Sequence, residues 1–217
     1  MISAVMPVKA LAASKSRLAP GDRDAIERLS LAMMGDVLEA LLRVEALSRV
    51  GVVTPDPKVA TVARDFGAEA VLRDDPGLNP AIEAGARLLT SNASDSVLVV
   101  LGDVAAATAA DLAALLASAE SPGVALAPSS DGGTSALLRS PRDVIPACFG
   151  PDSAKRHREA AERAGVTYIE RALPSLAIDL DVMADARALL EVASLGTRTR
   201  VAIANLLEKE AACDASS

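Results

Sequence analysis

Three cations gather near the start of the chain. Lys9, Lys15 and Arg17 follow a short apolar run, Ile2 to Val5, and no acidic residue occurs before Asp22. Pro7, with no N–H to donate, is expected to end strand pairing just ahead of them. Such a cluster suits an anion, a phosphate above all, and a solvated basic turn is the alternative that composition leaves open. Asp103 comes directly after the apolar run Val97 to Leu101, which puts an isolated carboxylate at the mouth of a buried strand, where it could hold a cation. Asp179 and Asp181 flank Leu180, so an extended chain would turn both carboxylates to one face. Magnesium takes a few carboxylates together with water and substrate phosphates, and Asp103, Asp179 and Asp181 would be a sufficient set. Asp181 could equally serve as the N-cap of the helix that follows.

Other chemistries lack their residues. Neither GxxxxGK[ST] nor GxGxxG occurs, which excludes the common phosphate loops of nucleotidases and dinucleotide enzymes. His157 is the only histidine, with no Ser-His-Asp set and no HExxH, and neither Cys148 nor Cys213 has a base near it in sequence. The stretch Ser153, Ala154, Lys155, Arg156, His157, Arg158 opens a helix with cations against its dipole, which invites an anion, although a wet basic face accounts for it as well.

These residues need a scaffold, and the periodicity supplies one. Short apolar runs alternate with helical stretches, predicting an α/β fold with buried, largely parallel strands. Strands are expected over Ile2 to Val5, Arg49 to Val53, Ala70 to Leu72, Ser96 to Leu101, Val124 to Ala127, Ala136 to Leu138, Val166 to Ile169 and Leu176 to Asp179. Helices are expected over Asp22 to Val44, Lys58 to Phe66, Pro80 to Thr90, Ala109 to Ala117, Ser153 to Ala164, Ala184 to Val192 and Thr197 to Ala211. Thr108 and Ser153 read as N-caps, and Gly67 and Gly165 as C-caps. In an open α/β sheet the ligand lies beyond the carboxyl ends of the strands, so Lys9, Thr54, Gly102, Asp103 and the Ser129 to Thr134 loop carry the most weight. Gly77 would let the backbone approach a ligand, while capping alone would explain Asn79.

Bulk properties agree. The 217 residues suit one domain over 1–211 with a frayed tail from Ala212 to Ser217. No apolar stretch approaches the about twenty residues needed to span a bilayer. Pro7 and Lys9 interrupt the run that a secretory signal would need. Two distant cysteines fit a reducing cytoplasm. A net charge of −7, no Trp, one Tyr and two Phe argue against a nucleic-acid binder.

Taken in register, Pro7-Val8-Lys9 with Lys15-Ser16-Arg17-Leu18, Gly77-Leu78-Asn79, Gly102-Asp103-Val104, Asp131-Gly132-Gly133-Thr134, Phe149-Gly150-Pro151-Asp152-Ser153 with Arg156-His157, and Asp179-Leu180-Asp181 resemble the phospholactate and phosphoenolpyruvate guanylyltransferase family of coenzyme F-420 biosynthesis. The resemblance runs from residue 1 to about residue 190. It implies a nucleotide-diphospho-sugar transferase (GT-A-like, Rossmann-like) fold, GTP as donor, Mg2+, and a phosphorylated three-carbon acid as acceptor: 2-phospho-L-lactate, phosphoenolpyruvate or 3-phosphoglycerate. Carried over by position, it implies acceptor binding by Thr134, Gly150 and Ser153, and nucleotide binding by Pro7, Lys9, Gly77, Asn79 and Gly102. The metal acids would be Asp103, Asp179 and Asp181, and Lys9, Lys15 and Arg17 would neutralise phosphate charge. It further implies a homodimer that hands its product to a downstream transferase. The chain departs from the family in Ala105 to Ala107 and in Ser135, which bears on acceptor choice. Alternatives are another nucleotidyltransferase on this fold, cytidylyl-, uridylyl- or molybdenum-cofactor guanylyltransferase, or a nucleotide-binding protein without catalysis.

Overall fold

A computed structural model describes residues 1–13, 18, 22–74, 77–178, 180 and 182–214. Seven strands form one sheet: β1 (Ile2–Pro7), β2 (Arg49–Thr54), β3 (Glu69–Leu72), β4 (Ser96–Val100), β5 (Gly123–Pro128), β6 (Thr134–Ser140) and β7 (Thr167–Glu170), in the order β3-β2-β1-β4-β6-β5-β7. Seven helices flank it: α1 (Arg23–Leu42), α2 (Pro57–Asp65), α3 (Leu78–Leu89), α4 (Ala109–Ser118), α5 (Ser153–Ala164), α6 (Met183–Leu190) and α7 (Thr197–Asp214).

The strands alternate their side chains between two cores, as period-2 geometry requires. Ala4 and Met6 of β1 and Leu98 and Val100 of β4 join α1, α2 and α4 on one face. Val5 and Val97 meet Ala86 and Leu89 of α3 on the other, and Val99, Val124 and Leu137 meet α5 there. A smaller cluster packs Leu29 and Met33 of α1 against Ala105, Ala106, Leu189 of α6 and Ile203 of α7. Ala105 and Ala106 are therefore buried packing positions, and Ala107 packs half-buried against the larger core.

Every pairing is parallel except those of β6, which runs antiparallel to both β4 and β5. The five residues between β5 and β6 can only reverse the chain, whereas a parallel return needs a crossover of a dozen or more. The reversal matters for the site, because β6 begins at the edge where β1, β2 and β4 end.

Several boundaries differ from the sequence reading. Pairing of β1 runs on to Pro7, and the Val8 N–H still donates to the Val53 carbonyl at 2.9 Å. The missing N–H of Pro7 does no damage, since pairing with β4 has already ended at Val5. The eighth strand expected from Leu176 does not form. Pro174–Leu176 is a 3₁₀ turn, and Leu173 and Leu176, three residues apart on it, bury together in the larger core. Helix α7 continues to Asp214, past the point where fraying was expected at Ala212. Its start is capped from another helix: Asp36 of α1 accepts from the Thr199 N–H at 2.8 Å and from Arg198 at 3.1 Å. Thr108 and Gly165 cap as expected, the hydroxyl of Thr108 accepting from the Asp111 N–H at 3.1 Å. Ser153 does not cap. The cap residue of α5 is Asp152, at φ 52°, and Ser153 is the first helical residue. The cap position of α6 falls on Val182, whose N–H donates to Asp185 at 2.8 Å.

Candidate active site

A cavity of about 770 Å³ opens along the sheet edge where β1, β2 and β4 end and β6 begins. It gathers Pro7 and Lys9 after β1, Gly77 at the start of α3, Gly102 and Asp103 after β4, Thr134 at the start of β6, and Gly150 and Ser153 at the start of α5. This is the crevice beside β1, from which the chain winds first toward β3 and then back to β4, the topological switch at which open α/β sheets bind ligands. Lys15 and Arg17, and the metal-ligand candidates Asp179 and Asp181, lie outside the described residues. Among the described residues no three His, Cys, Asp or Glu side chains stand close enough to share a metal ion. Asp103 is the one expected magnesium ligand that the structure describes, and a carboxylate facing the cavity is the donor that this hard cation takes.

Asn79 does not line the cavity, and it is not a helix cap. Helix α3 is capped by Gly77, at φ 91°, without a side-chain hydrogen bond. The Asn79 amide instead clamps the main chain of Phe149: its Oδ1 accepts from the Phe149 N–H at 2.8 Å, and its Nδ2 donates to the Phe149 carbonyl at 3.1 Å. One turn further along α3, Glu83 accepts from the Ala147 N–H at 2.7 Å and from Arg139 of β6 at 2.7 Å. Arg139, fully buried, also donates to the Ile145 carbonyl at 2.9 Å. The segment 145–149 has no regular structure of its own, and side chains from α3 and β6 satisfy its backbone. It delivers Gly150 to the rim at φ 119°, a conformation open to glycine, with the Arg156 guanidinium 3.2 Å from where a Cβ would stand.

Thr134 reaches the cavity through a defect in the sheet. Ala127 pairs with Ala136, but Pro128 pairs with Thr134, so Ser135 is an extra residue in β6. With regular pairing, Thr134 would share the face of Ala136 and Leu138. The bulge turns it to the opposite face, where α5 lies. There Thr134 Oγ1 stands 3.0 Å from Ser153 Oγ and 3.1 Å from His157 Nδ1. His157 Nε2 accepts from the Cys148 N–H at 2.9 Å, and the Phe149 ring meets the imidazole edge to face at 5.1 Å between centroids. Burial, then the charges of Arg139 and Arg156, push the His157 pKa down to about 4, so the ring is neutral at pH 7. Ser135 pays for the bulge with a buried hydroxyl that has no hydrogen-bond partner among the described residues.

The connecting loop is fixed by Asp131. Its carboxylate accepts from the Ser129 hydroxyl and from the Gly133 N–H at 2.9 Å, and these bonds, the hydroxyl's first, hold it below the usual carboxylate range. The Gly132 carbonyl in turn accepts from the Ala154 N–H at 3.3 Å. The basic start of α5 is mostly a solvated face: Lys155 pairs with Glu159, and Arg158 with Glu170 at 2.6 Å while lying over the Tyr168 ring. Lys9 and Arg73, which both line the cavity, have no ion-pair partner among the described residues.

Sequence reading missed His157 and the segment 145–149 as parts of the site. A signal for the histidine was present, since residues 153 and 157 are one helical turn apart and share a face.

A mostly parallel, seven-stranded sheet with a cavity at its switch point and a carboxylate after β4 is a nucleotidyltransferase fold. The chain superimposes on a nucleotidyl transferase from Methanothermobacter with a TM-score of 0.65 at 21% identity, over 87% of this chain and 95% of that one. The chain belongs to the CofC-like guanylyl transferase family, whose sequence profile matches residues 2–207. It is similar to the phosphoenolpyruvate guanylyltransferase of Sphaerobacter thermophilus, 36% identical over 89% of this chain and 94% of the relative. It is also similar to the enzyme of that name from Rubrobacter xylanophilus, 40% identical over 83% of this chain and 89% of the relative. The chain is thus a nucleotidyltransferase of the guanylyltransferase type.

Proposed function

We propose that this enzyme transfers GMP from GTP to phosphoenolpyruvate and releases pyrophosphate. The observation that carries the reading is the convergence of Lys9, Asp103 and the hydroxyl pair Thr134 and Ser153 on one cavity, in a chain whose relatives bear that activity in their names. GTP lies along Pro7, Lys9, Gly77 and Gly102, and the acceptor at Thr134, Gly150 and Ser153. Asn79, expected at the nucleotide, acts instead at the acceptor end, through the main chain it clamps ahead of Gly150.

An acceptor phosphate oxygen attacks the α-phosphorus in line, a new P–O bond forms, and the bond to pyrophosphate breaks. The nucleophile is already an anion, so no general base is needed, which agrees with a histidine held neutral beneath the site. Lys9 offsets charge on the phosphates, together with Lys15 and Arg17, and positioning and electrostatics supply the rate. Magnesium would be held by Asp103 with Asp179 and Asp181, and when bound it supplies neutralisation of phosphate charge. The proposed setting, taken from the family resemblance, is coenzyme F-420 biosynthesis in the cytoplasm, by a homodimer that passes its product to a downstream transferase.

The test is pyrophosphate release with magnesium, each of the four nucleoside triphosphates, and phosphoenolpyruvate, 2-phospho-L-lactate or 3-phosphoglycerate. Release with GTP and phosphoenolpyruvate, well above every other pairing, is expected. A preference for another nucleotide or acceptor overturns that part of the reading.

A further inference from the structure

We propose that His157 is a positioning residue: it fixes the direction of the hydrogen bonds beneath the acceptor end, so that the Thr134 and Ser153 pair always keeps one O–H free to donate to a carboxylate or phosphate oxygen in the cavity. The identity of that anion as the acceptor substrate rests on the function proposed above.

The backbone N–H of Cys148 can only donate, and it lies 2.9 Å from His157 Nε2, so that nitrogen must carry a lone pair. In a neutral ring the proton is then on Nδ1, and Nδ1–H donates to Thr134 Oγ1 at 3.1 Å. The two hydroxyls are 3.0 Å apart and share one hydrogen bond. That bond uses one of their two protons, whichever way it points, and among the described residues neither hydroxyl donates to any other group, so one proton is left over. Both residues line the cavity, so this proton faces the ligand. A ligand oxygen that can only accept completes the chain. The other tautomer, or a protonated ring, would set Nε2–H against the Cys148 N–H and break the chain at its base. The ring is fully buried; burial and the charges of Arg139 of β6 and Arg156 of α5 oppose protonation and outweigh the hydrogen bond to the Ser153 main chain, which favours it and which a proton on Nδ1 shares with Thr134.

His157 is the only histidine, so the imidazole ¹⁵N spectrum of the labelled full-length chain reports this residue alone. The expected spectrum has Nδ1 protonated and Nε2 bare, with no titration through the ordinary range near about 6.5. Two variants separate the ring's two contacts. His157→Asn keeps an N–H at the Nδ1 position, whereas His157→Gln reaches toward Cys148 and loses the donor to Thr134. His157→Gln is expected to raise the KM for phosphoenolpyruvate about tenfold to a hundredfold and to leave kcat and the KM for GTP nearly unchanged, with His157→Asn restoring most of the loss. A proton found on Nε2, an ordinary titration, equal losses in the two variants, or a GTP KM that moves with the acceptor KM would each overturn the proposal. If no pairing with GTP turns over, the proposed function falls, and the wild-type spectrum with phosphoenolpyruvate as sole ligand decides the inference. A shifted Nδ1 resonance supports it, and an unmoved one overturns it.

Discussion

The two ends of the cavity are built differently. At the Thr134 end the polar groups are tied into one network: a bulge, two hydroxyls, a buried imidazole, and a loop whose backbone is held by Asn79, Glu83 and Arg139. At the Lys9 end, Lys9, Arg73 and Asp74 are exposed, and α3 begins at Gly77, which has no side chain of its own to cap it. A small rigid acceptor gains from a surface fixed in advance, because less ordering is lost on binding. A triphosphate brings its own charge and can organise exposed cations around itself.

The tied acceptor end should tell most strongly on stability. Arg139→Met leaves Glu83 without its partner and frees the Ile145 carbonyl, and is expected to cost about 3–5 kcal/mol in urea unfolding. A cost near zero would mean that the network does not hold the acceptor end. Next, Asp103→Asn, at the junction of the two ends, should lower kcat about a hundredfold to a thousandfold without unfolding the chain. Comparable turnover in the variant would remove Asp103 from the chemistry.

Third comes pH. The folded pKa of His157, about 4, lies below the ordinary value of 6.5, so the unfolded chain takes up a proton first as pH falls. Its contribution is complete above about pH 6.5 and declines by about 3 kcal/mol toward pH 4. Asp131, held low, contributes above its unfolded value and loses that contribution only further down the scale. Denaturation of wild type and His157→Asn at pH 7 and 4.5 checks this, since the decline should be much smaller in the variant. The two ends should also separate in binding, with smaller changes. Thr134→Val should raise the acceptor KM about tenfold or more with the GTP KM unchanged, and Lys9→Met should do the reverse.

Much of the frame was legible. Seven of the strand runs lay within a few residues of strands found, because their apolar stretches are long enough to bury and are bounded by turn residues. That the candidate residues after β1 and β4 and at the start of β6 would gather round one cavity was legible for the same reason. The antiparallel course of β6 was not, since apolar alternation carries no direction. Leu176 read as a strand because the pattern could not tell a buried strand from two leucines three apart on a 3₁₀ turn. Asn79 read as a cap because its partner, Phe149, is seventy residues away. The burial of His157 was equally invisible, for it depends on a loop that α3 and β6 hold over it.

The extra residue in β6 has a consequence for how this enzyme can change. It acts as a half-step in an otherwise strict two-beat rhythm, so Thr134 keeps time with α5 while Ala136 and Leu138 keep time with the core below. Substitutions on either side of Ser135 are thereby uncoupled: the pocket wall can be altered without reversing which side chains the sheet buries. Deleting that one residue would restore the beat and leave the threonine beside Ala136 in sequence, still on the face of α5.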